Sequence, residues 1–313
     1  MRCISPLKAS FNSQGDMVYS SKNAEPGLVP IEFECRRCLP CRLNLAREKA
    51  IRCMHEARES NGSMFLTLTY SDDHLESPRL NYRDFQLFMK RLRFHYPEQK
   101  INYMVTGEYG EETKRPHWHA IIFNFYPEDA EFYYTSDRGD KLFKSKAIDE
   151  IWGKNDPDTR PNEFGEVTID SANYVARYAA KKLVHGKDEE HDYHPIHKTS
   201  SRYGLGRKWI EKYWKQTFSN GYVTLPNGST SKIPRYYVDW FKKNYPVEYQ
   251  TYIRGVREDI MQVAETNARK EELIEITNMM NYKGGAGYPL PRNSVKERVL
   301  QSKFKKLQEF NKL

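Results

Sequence analysis

Two histidines one residue apart, His117-Trp118-His119, stand at the head of the apolar run Ala120-Ile121-Ile122-Phe123. Side chains alternate along a strand, so both imidazoles project from one face and Trp118 from the other. Two imidazoles on one face can hold a divalent ion, and one hard ligand more completes a half-shell with open positions. Glu108, nine residues upstream at the end of the neighbouring strand, is the candidate third ligand, with Glu111 and Glu112 inside the connection as alternatives. The same donor set suits a mononuclear-iron oxygenase, and histidines on a strand also serve plain local hydrogen bonding.

A second pattern is Tyr174-Val175-Ala176-Arg177-Tyr178-Ala179-Ala180-Lys181-Lys182. On a helix the two tyrosines, four residues apart, share a face with Cβ atoms ~5–6 Å apart. Arg177 and Lys181 each follow a tyrosine by three residues, which puts a cation beside each phenol, while Val175, Ala179 and Leu183 form a core-facing side. A phenol with pKa ~10 is a weak nucleophile at neutral pH. A nearby metal that polarises a phosphodiester, with cations that stabilise the developing charge, makes it a usable one. The attack leaves a phosphotyrosine, which conserves the ester so that the strand can be rejoined without ATP. The competing reading is an amphipathic helix with two core or surface aromatics.

The third pattern is Cys35-x₂-Cys38-x₂-Cys41. Three thiols at that spacing do not share a helix face, and Pro40 disfavours helix there. The spacing suits a knuckle around tetrahedral Zn²⁺ with Cys3 or Cys53 as fourth ligand. Free structural thiols and an iron–sulfur run are the alternatives. Arg36, Arg37, Arg42 and Arg47 surround the cluster and can touch phosphates.

These residues need elements to hold them. Residues 1–40 read as irregular, broken by Pro6, Gly15, Pro26, Gly27, Pro30 and Pro40. Helical spacing predicts a helix over 41–60, then a buried strand over 64–70 and a helix over 81–95 with the stripe Phe85, Phe88, Met89, Leu92. Strands over about 101–107 and 117–125 follow, then turn chemistry over 126–144 and a short helix over 145–152 ending at Gly153. A short strand over 166–170 leads to a helix over 172–185, N-capped by Ser171 and stopped by Gly186. Further on the signals give a loop at 203–207, a helix at 209–218 and a hairpin over 222–233 turning at Asn227-Gly228. Residues 235–280 read as mostly helical, 284–287 as a linker and 293–313 as a basic terminal helix. The fold class is α+β, a small and mainly antiparallel sheet flanked by helices, with a Cys-rich N-terminal segment and a helical C-terminal extension. The expected division is 1–60, a core over 61–240, and a partly flexible basic extension over 241–313.

Composition sets the class of partner. The 313 residues carry 50 Lys+Arg against 42 Asp+Glu, a net charge of +8, with 22 Tyr, 15 Phe and 5 Trp. That aromatic content excludes a solvating disordered chain, and the charge favours a polyanion whose bases stack on rings. No run reaches the ~20 apolar residues of a membrane span. The start Met1-Arg2-Cys3-Ile4 has no apolar signal region, so neither membrane nor secretion is expected. Lys90, Arg91, Arg93, Lys181, Lys182, Arg202, Arg207 and Lys208 are candidate DNA-path residues.

Phe65-Leu66-Thr67-Leu68-Thr69-Tyr70, then Pro116-His117-Trp118-His119, then Tyr174-Val175-Ala176-Arg177-Tyr178 resemble the three ordered motifs of HUH endonucleases of the two-tyrosine, rolling-circle type. The wider pattern includes Met1-Arg2-Cys3, Cys35-Arg36-Arg37-Cys38-Leu39-Pro40-Cys41-Arg42 and Gly107-Glu108-Tyr109-Gly110-Glu111. It resembles the replication initiators of gokushovirus-like Microviridae over roughly residues 1–240. The resemblance implies an initiator that nicks single-stranded origin DNA, keeps a 5′-phosphotyrosine link and later rejoins the strand. His117 and His119 would hold Mg²⁺ or Mn²⁺, Tyr174 and Tyr178 would be the nucleophiles, and Arg177, Lys182 and Arg207 would bind DNA. Arg177 departs from the Lys common between such tyrosines; Arg stays charged and clamps phosphate, leaving the acid–base role to Lys181. A host polymerase and a host helicase would complete replication in the bacterial cytoplasm, since no Gly-x₄-Gly-Lys-[Ser/Thr] loop is present. A non-catalytic, zinc-containing nucleic-acid-binding protein is the alternative.

Overall fold

The computed structural model describes residues 3, 5–12, 17–19, 21–23, 31–110, 113–137, 139–181, 196–200, 204–225, 228–281, 295 and 297–303, without the side chains of 177–181. The chain divides into two compact units, Ala46–Tyr252 and Met1–Leu45 with Ile253–Leu313.

The unit built from both chain ends contains β1 (Leu7–Phe11), β2 (Met17–Val18) and β3 (Ile31–Phe33), an antiparallel sheet in the order β2-β1-β3. The irregular structure expected over 1–40 is therefore corrected: these strands fit between the prolines and glycines, which occupy the connections. Helix α1 (Leu39–Arg58) begins earlier than expected, with Pro40 in its first turn, where a missing N–H leaves no bond unmade.

The Ala46–Tyr252 unit is built on a seven-stranded sheet. In chain order its elements are β4 (Ser63–Leu68), α2 (Tyr82–His95), β5 (Asn102–Tyr109), β6 (Pro116–Phe123), β7 (Glu131–Thr135), β8 (Lys141–Lys144), α3 (Lys146–Trp152), β9 (Glu163–Gly165), α4 (Ile169–Lys181) and β10 (Ile196–Thr199). The order across the sheet is β10-β5-β6-β4-β9-β8-β7, and every pairing is antiparallel. The fold is the expected α+β class, with more strands than the sequence signals: β7 and β8 form from the stretch read as turns. Two boundaries also move. The strand expected at 166–170 lies at Glu163–Gly165, and α4 starts at Ile169. Its cap is Thr168, whose Oγ1 accepts from the Ser171 N–H at 3.1 Å while Ser171 Oγ accepts from the Thr168 N–H at 2.9 Å. Ser171 thus closes the capping box from the first turn rather than serving as N-cap.

Strand alternation sends the two sheet faces to different cores. Leu66, Leu68, Val105, Trp118, Ala120 and Ile122 pack under α2 and α3. Met104, Ile121 and Phe123 meet Val175, Ala172 and Ala176 of α4 and Ala50 of α1 on the other face. Close contact at the first core has a strict requirement: a Cβ added at Gly107 would lie 2.5 Å from the Trp118 ring.

Beyond the sheet come α5 (Arg207–Asn220), the hairpin of β11 (Tyr222–Thr224) and β12 (Thr230–Lys232), α6 (Arg235–Asn244) and α7 (Pro246–Tyr252). They pack an aromatic core of Trp209, Phe218, Tyr237 and Phe241 against Ile51 of α1. A π-helical turn, Ile253–Arg257, leads to α8 (Glu258–Met280) in the other unit, as the helical reading of 235–280 expects. The 284–287 linker, Gly186 and most of 293–313 lie outside the described residues. Among the described residues no helix is long and apolar enough to cross a membrane.

Candidate functional site

Hydrogen bonding between β5 and β6 places Glu108 directly opposite His117, and Thr106 opposite His119. Opposed residues share a sheet face, so the carboxylate and both imidazoles converge. The Glu108 Oε1 atom lies 3.3 Å from His117 Nε2 and 2.8 Å from His119 Nε2. One ligand atom from each of the three lies within 4.8 Å of the others. Glu108 falls inside β5, one pair beyond the expected end of that strand, which is why it and not a loop carboxylate meets the histidines. Glu111 and Glu112 lie outside the described residues.

The far nitrogens are also held. His117 Nδ1 lies 3.2 Å from the Arg115 carbonyl, which can only accept, and this leaves Nε2 as the ligand atom. His119 Nδ1 lies 3.1 Å from Thr67 Oγ1, and its ring stacks on Phe65 with centroids 5.6 Å apart. Glu108 is only 5% exposed. Burial alone would raise its carboxyl, but hydrogen bonds and charge from His117 and His119 outweigh it and hold the group well below the usual carboxylate range. The donor set, two imidazoles and one ionised carboxylate, fits a divalent cation.

Helix α4 brings Tyr174 over this group. Its hydroxyl donates to Glu108 Oε1 at 2.8 Å, and its ring meets His119 edge-on at 5.2 Å. Phe65 touches both rings, with Tyr174 at 6.3 Å. Thr106, fully buried, donates to the Val175 carbonyl at 3.1 Å and lies 2.8 Å from His197 Nδ1 on β10. Type and spacing alone do not single out Phe65, Thr67, Thr106 or His197 as site residues. A signal for Thr67 exists, a polar residue at an alternate position of an apolar strand. His197 follows a segment without periodic signal.

Tyr178 and Lys181 continue the helix backbone of α4, four and seven residues after Tyr174, and their side chains, with that of Arg177, lie outside the described residues, as does all of Lys182. Arg207 opens α5 and its Nε donates to Glu211 at 2.8 Å. Arg91 and Arg93 donate to the Ile151, Trp152 and Ile101 carbonyls, which gives both guanidinium groups structural partners. Arg202 lies outside the described residues.

The second cluster assembles Cys3, Cys35, Cys38 and Cys41, all four sulfurs within 4.8 Å of one another. Tetrahedral Zn–S bonds of ~2.3 Å set sulfurs ~3.8 Å apart, and Cys3 Sγ lies 3.8 Å from Cys38 Sγ. Backbone N–H groups of Cys35 and Cys38 donate to Cys3 and Cys35 sulfurs, each at 3.3 Å. Burial opposes ionisation at Cys35, but N–H bonds from Cys38 and Arg37 bring its thiol down to about 6. Cys53 takes no part, correcting one of the two options for the fourth ligand. It lies fully buried under the sheet with its thiol donating to Met104 Sδ at 3.6 Å, and burial pushes it up to about 12.

Comparison with known proteins agrees with this geometry. A family model of replication-associated proteins of the ORF2 type matches residues 63–183, the segment that supplies Glu108, both histidines and both tyrosines. The replication-associated protein VP4 of Bdellovibrio phage phiMH2K is 53% identical over the whole of both chains. The replication-associated protein ORF4 of Chlamydia phage 1 is 30% identical over 79% of this chain and 65% of its own length. That of Spiroplasma virus 4, ORF2, is 27% identical over 91% and 93%. No solved structure matches the chain. The chain belongs to these phage replication-associated proteins, of gokushovirus-like type, and serves the initiation of phage DNA replication.

Proposed function

We propose that this replication initiator nicks single-stranded origin DNA by tyrosine transesterification at the Glu108–His117–His119 group. The observation that carries the reading is the Tyr174 hydroxyl, 2.8 Å from the same Glu108 oxygen that both histidines approach. A nucleophile beside a divalent-ion ligand set is what phosphodiester attack requires. Glu108, His117 and His119 would hold Mg²⁺ or Mn²⁺, which when bound polarises the phosphodiester. The Tyr174 oxygen forms a bond to phosphorus as the bond from phosphorus to the 3′ oxygen breaks. The phenolic proton is given up, and the leaving oxygen ends as a 3′-hydroxyl. The 5′-phosphotyrosine keeps the ester, so the reverse attack rejoins the strand.

Tyr178, one helical turn on, is the second nucleophile; Lys181 serves acid–base chemistry, and Arg177, Lys182 and Arg207 bind the DNA backbone. Residues 61–240 form the working core. A host polymerase extends the 3′-hydroxyl and a host helicase unwinds, in the cytoplasm of a bacterial host. The four-cysteine cluster holds a structural Zn²⁺, a reading supported by its S···S spacing.

The test is a denaturing gel of wild type, Tyr174→Phe, Tyr178→Phe and the double variant with single-stranded DNA and Mn²⁺. Covalent adducts are expected in wild type and absent from the double variant and from EDTA. Adducts that persist in EDTA, or DNA binding with no adduct on any strand tried, hairpins included, would leave a non-catalytic binding protein.

A further inference from the structure

The sheet carries a surface that the tyrosine chemistry does not use. Its edge strand β7 is exposed along its whole length, with Phe132 57% exposed, Tyr133 41% and Tyr134 40%. Three adjacent aromatics on a free edge are a liability that proteins ordinarily blunt with charge. Their retention asks for a partner.

The register fixes which way they point. Tyr134 is opposite Leu142, Leu142 opposite Gly165, Glu163 opposite Thr67, and Thr67 opposite His119. Gly165 and Glu163 are two residues apart, so Tyr134 lies on the same sheet face as the histidines. Side-chain contacts agree: the Tyr134 hydroxyl donates to Glu163 Oε2 at 3.1 Å. A β-bulge between Phe132 and Tyr134 makes Tyr133 the extra residue. It turns the Tyr133 ring to meet Tyr134 edge-on at 5.1 Å and Lys144 at 5.8 Å. Phe132 packs on Phe143 of the opposite face.

We propose that Tyr133 and Tyr134 form a stacking platform for bases of single-stranded DNA leading to the Glu108–His117–His119 group. This rests on the single-strand reading above. β7 lies four strands from β6, ~19 Å at the usual strand spacing, well inside a single-strand site of ~4–16 nucleotides. Two further observations select this occupant. The bulge interrupts the edge ladder, which disfavours an added strand from a second copy or another protein. Lys144 is paired with Glu131 at 3.8 Å, and Glu163 lies beside Tyr134, so the patch offers phosphates little and bases much.

The experiment measures binding of a labelled single strand of about 20 nucleotides to the full chain in EDTA, where nothing is cleaved. Replacing both tyrosines, Tyr133→Ala with Tyr134→Ala, is expected to weaken affinity about tenfold or more. The double Phe variant keeps both ring faces and stays within about twofold of wild type. Because stacking and not phosphate contact is lost, the slope of affinity against salt stays unchanged in the Ala variant. An Ala variant that binds like wild type, one whose salt slope falls, or one that changes only the oligomeric state on light scattering overturns the platform. None of these touches the nicking reading, which stands or falls on the Tyr174 adduct with Mn²⁺.

Discussion

Tyr174 donates its phenolic hydrogen to Glu108 at 2.8 Å across 66 residues of chain, and the accepting oxygen is the one that His117 and His119 also approach. A helix residue, a strand residue and two residues of the next strand thus share one oxygen atom. Neither Glu108 nor Tyr174 is held there by its own element alone. The β5–β6 register sets the carboxylate, and the packing of Val175 and Ala176 sets the helix over it.

Thr67 orients His119 through Nδ1, so its hydroxyl governs a metal ligand that it does not itself supply. Thr67→Val is expected to lower Mn²⁺ affinity by ~10–100-fold, with Thr67→Ser close to wild type. Titration calorimetry with Mn²⁺ measures both, and equal affinity in the Val variant removes the orienting role.

Zinc should be present at about one ion per chain, since a tetrahedral site takes four thiolates. Elemental analysis of purified protein is expected to find it in wild type and in Cys53→Ala, and to find it depleted in Cys38→Ser. Zinc that depends on Cys53, or none in wild type, contradicts the four-sulfur assignment.

His55 makes stability depend on pH. Burial first, and Arg58 second, lower its pKa to about 3. The ring stacks on Trp209 at 3.6 Å, with Nδ1 2.9 Å from the Tyr237 hydroxyl. In the unfolded chain the group titrates near 6.5, so between the two values only the unfolded state takes the proton. Its contribution is complete above pH ~6.5 and declines by ~1.4 kcal/mol per unit as pH falls. Urea melts at pH 7 and pH 5 should differ by about 2 kcal/mol more in wild type than in His55→Phe. Parallel pH profiles for the two proteins would exclude this residue as the cause.

Gly107 lies between two site residues, Thr106 and Glu108, and faces Trp118. Gly107→Ala forces its Cβ to 2.5 Å from a buried ring, an overpacking expected to cost ~1–3 kcal/mol. Chemical denaturation reads this directly; a variant as stable as wild type would mean the strands part more easily than their packing implies.

The chemistry-bearing residues were legible from type and spacing. His117 and His119 declare a shared face by alternation, Tyr174 and Tyr178 a shared helical face by periodicity, and Cys35, Cys38 and Cys41 a knuckle by clustering. These are local properties, set by backbone geometry within a few residues. Likewise α2 is announced by Phe85, Phe88, Met89 and Leu92, all buried as the stripe requires. The hairpin of β7 and β8 was hidden because Glu131–Thr135 has no alternation and is exposed throughout. Only the tertiary structure decided that Glu108 is the carboxylate at the histidines, that Cys3 and not Cys53 joins the thiols, and that Thr106 ties the sheet to α4. Each of these joins residues far apart in the chain, and such contacts are fixed by strand register and by which apolar faces are buried together. Those are properties of the assembled sheet and its covering helices, and no stretch of sequence carries them alone.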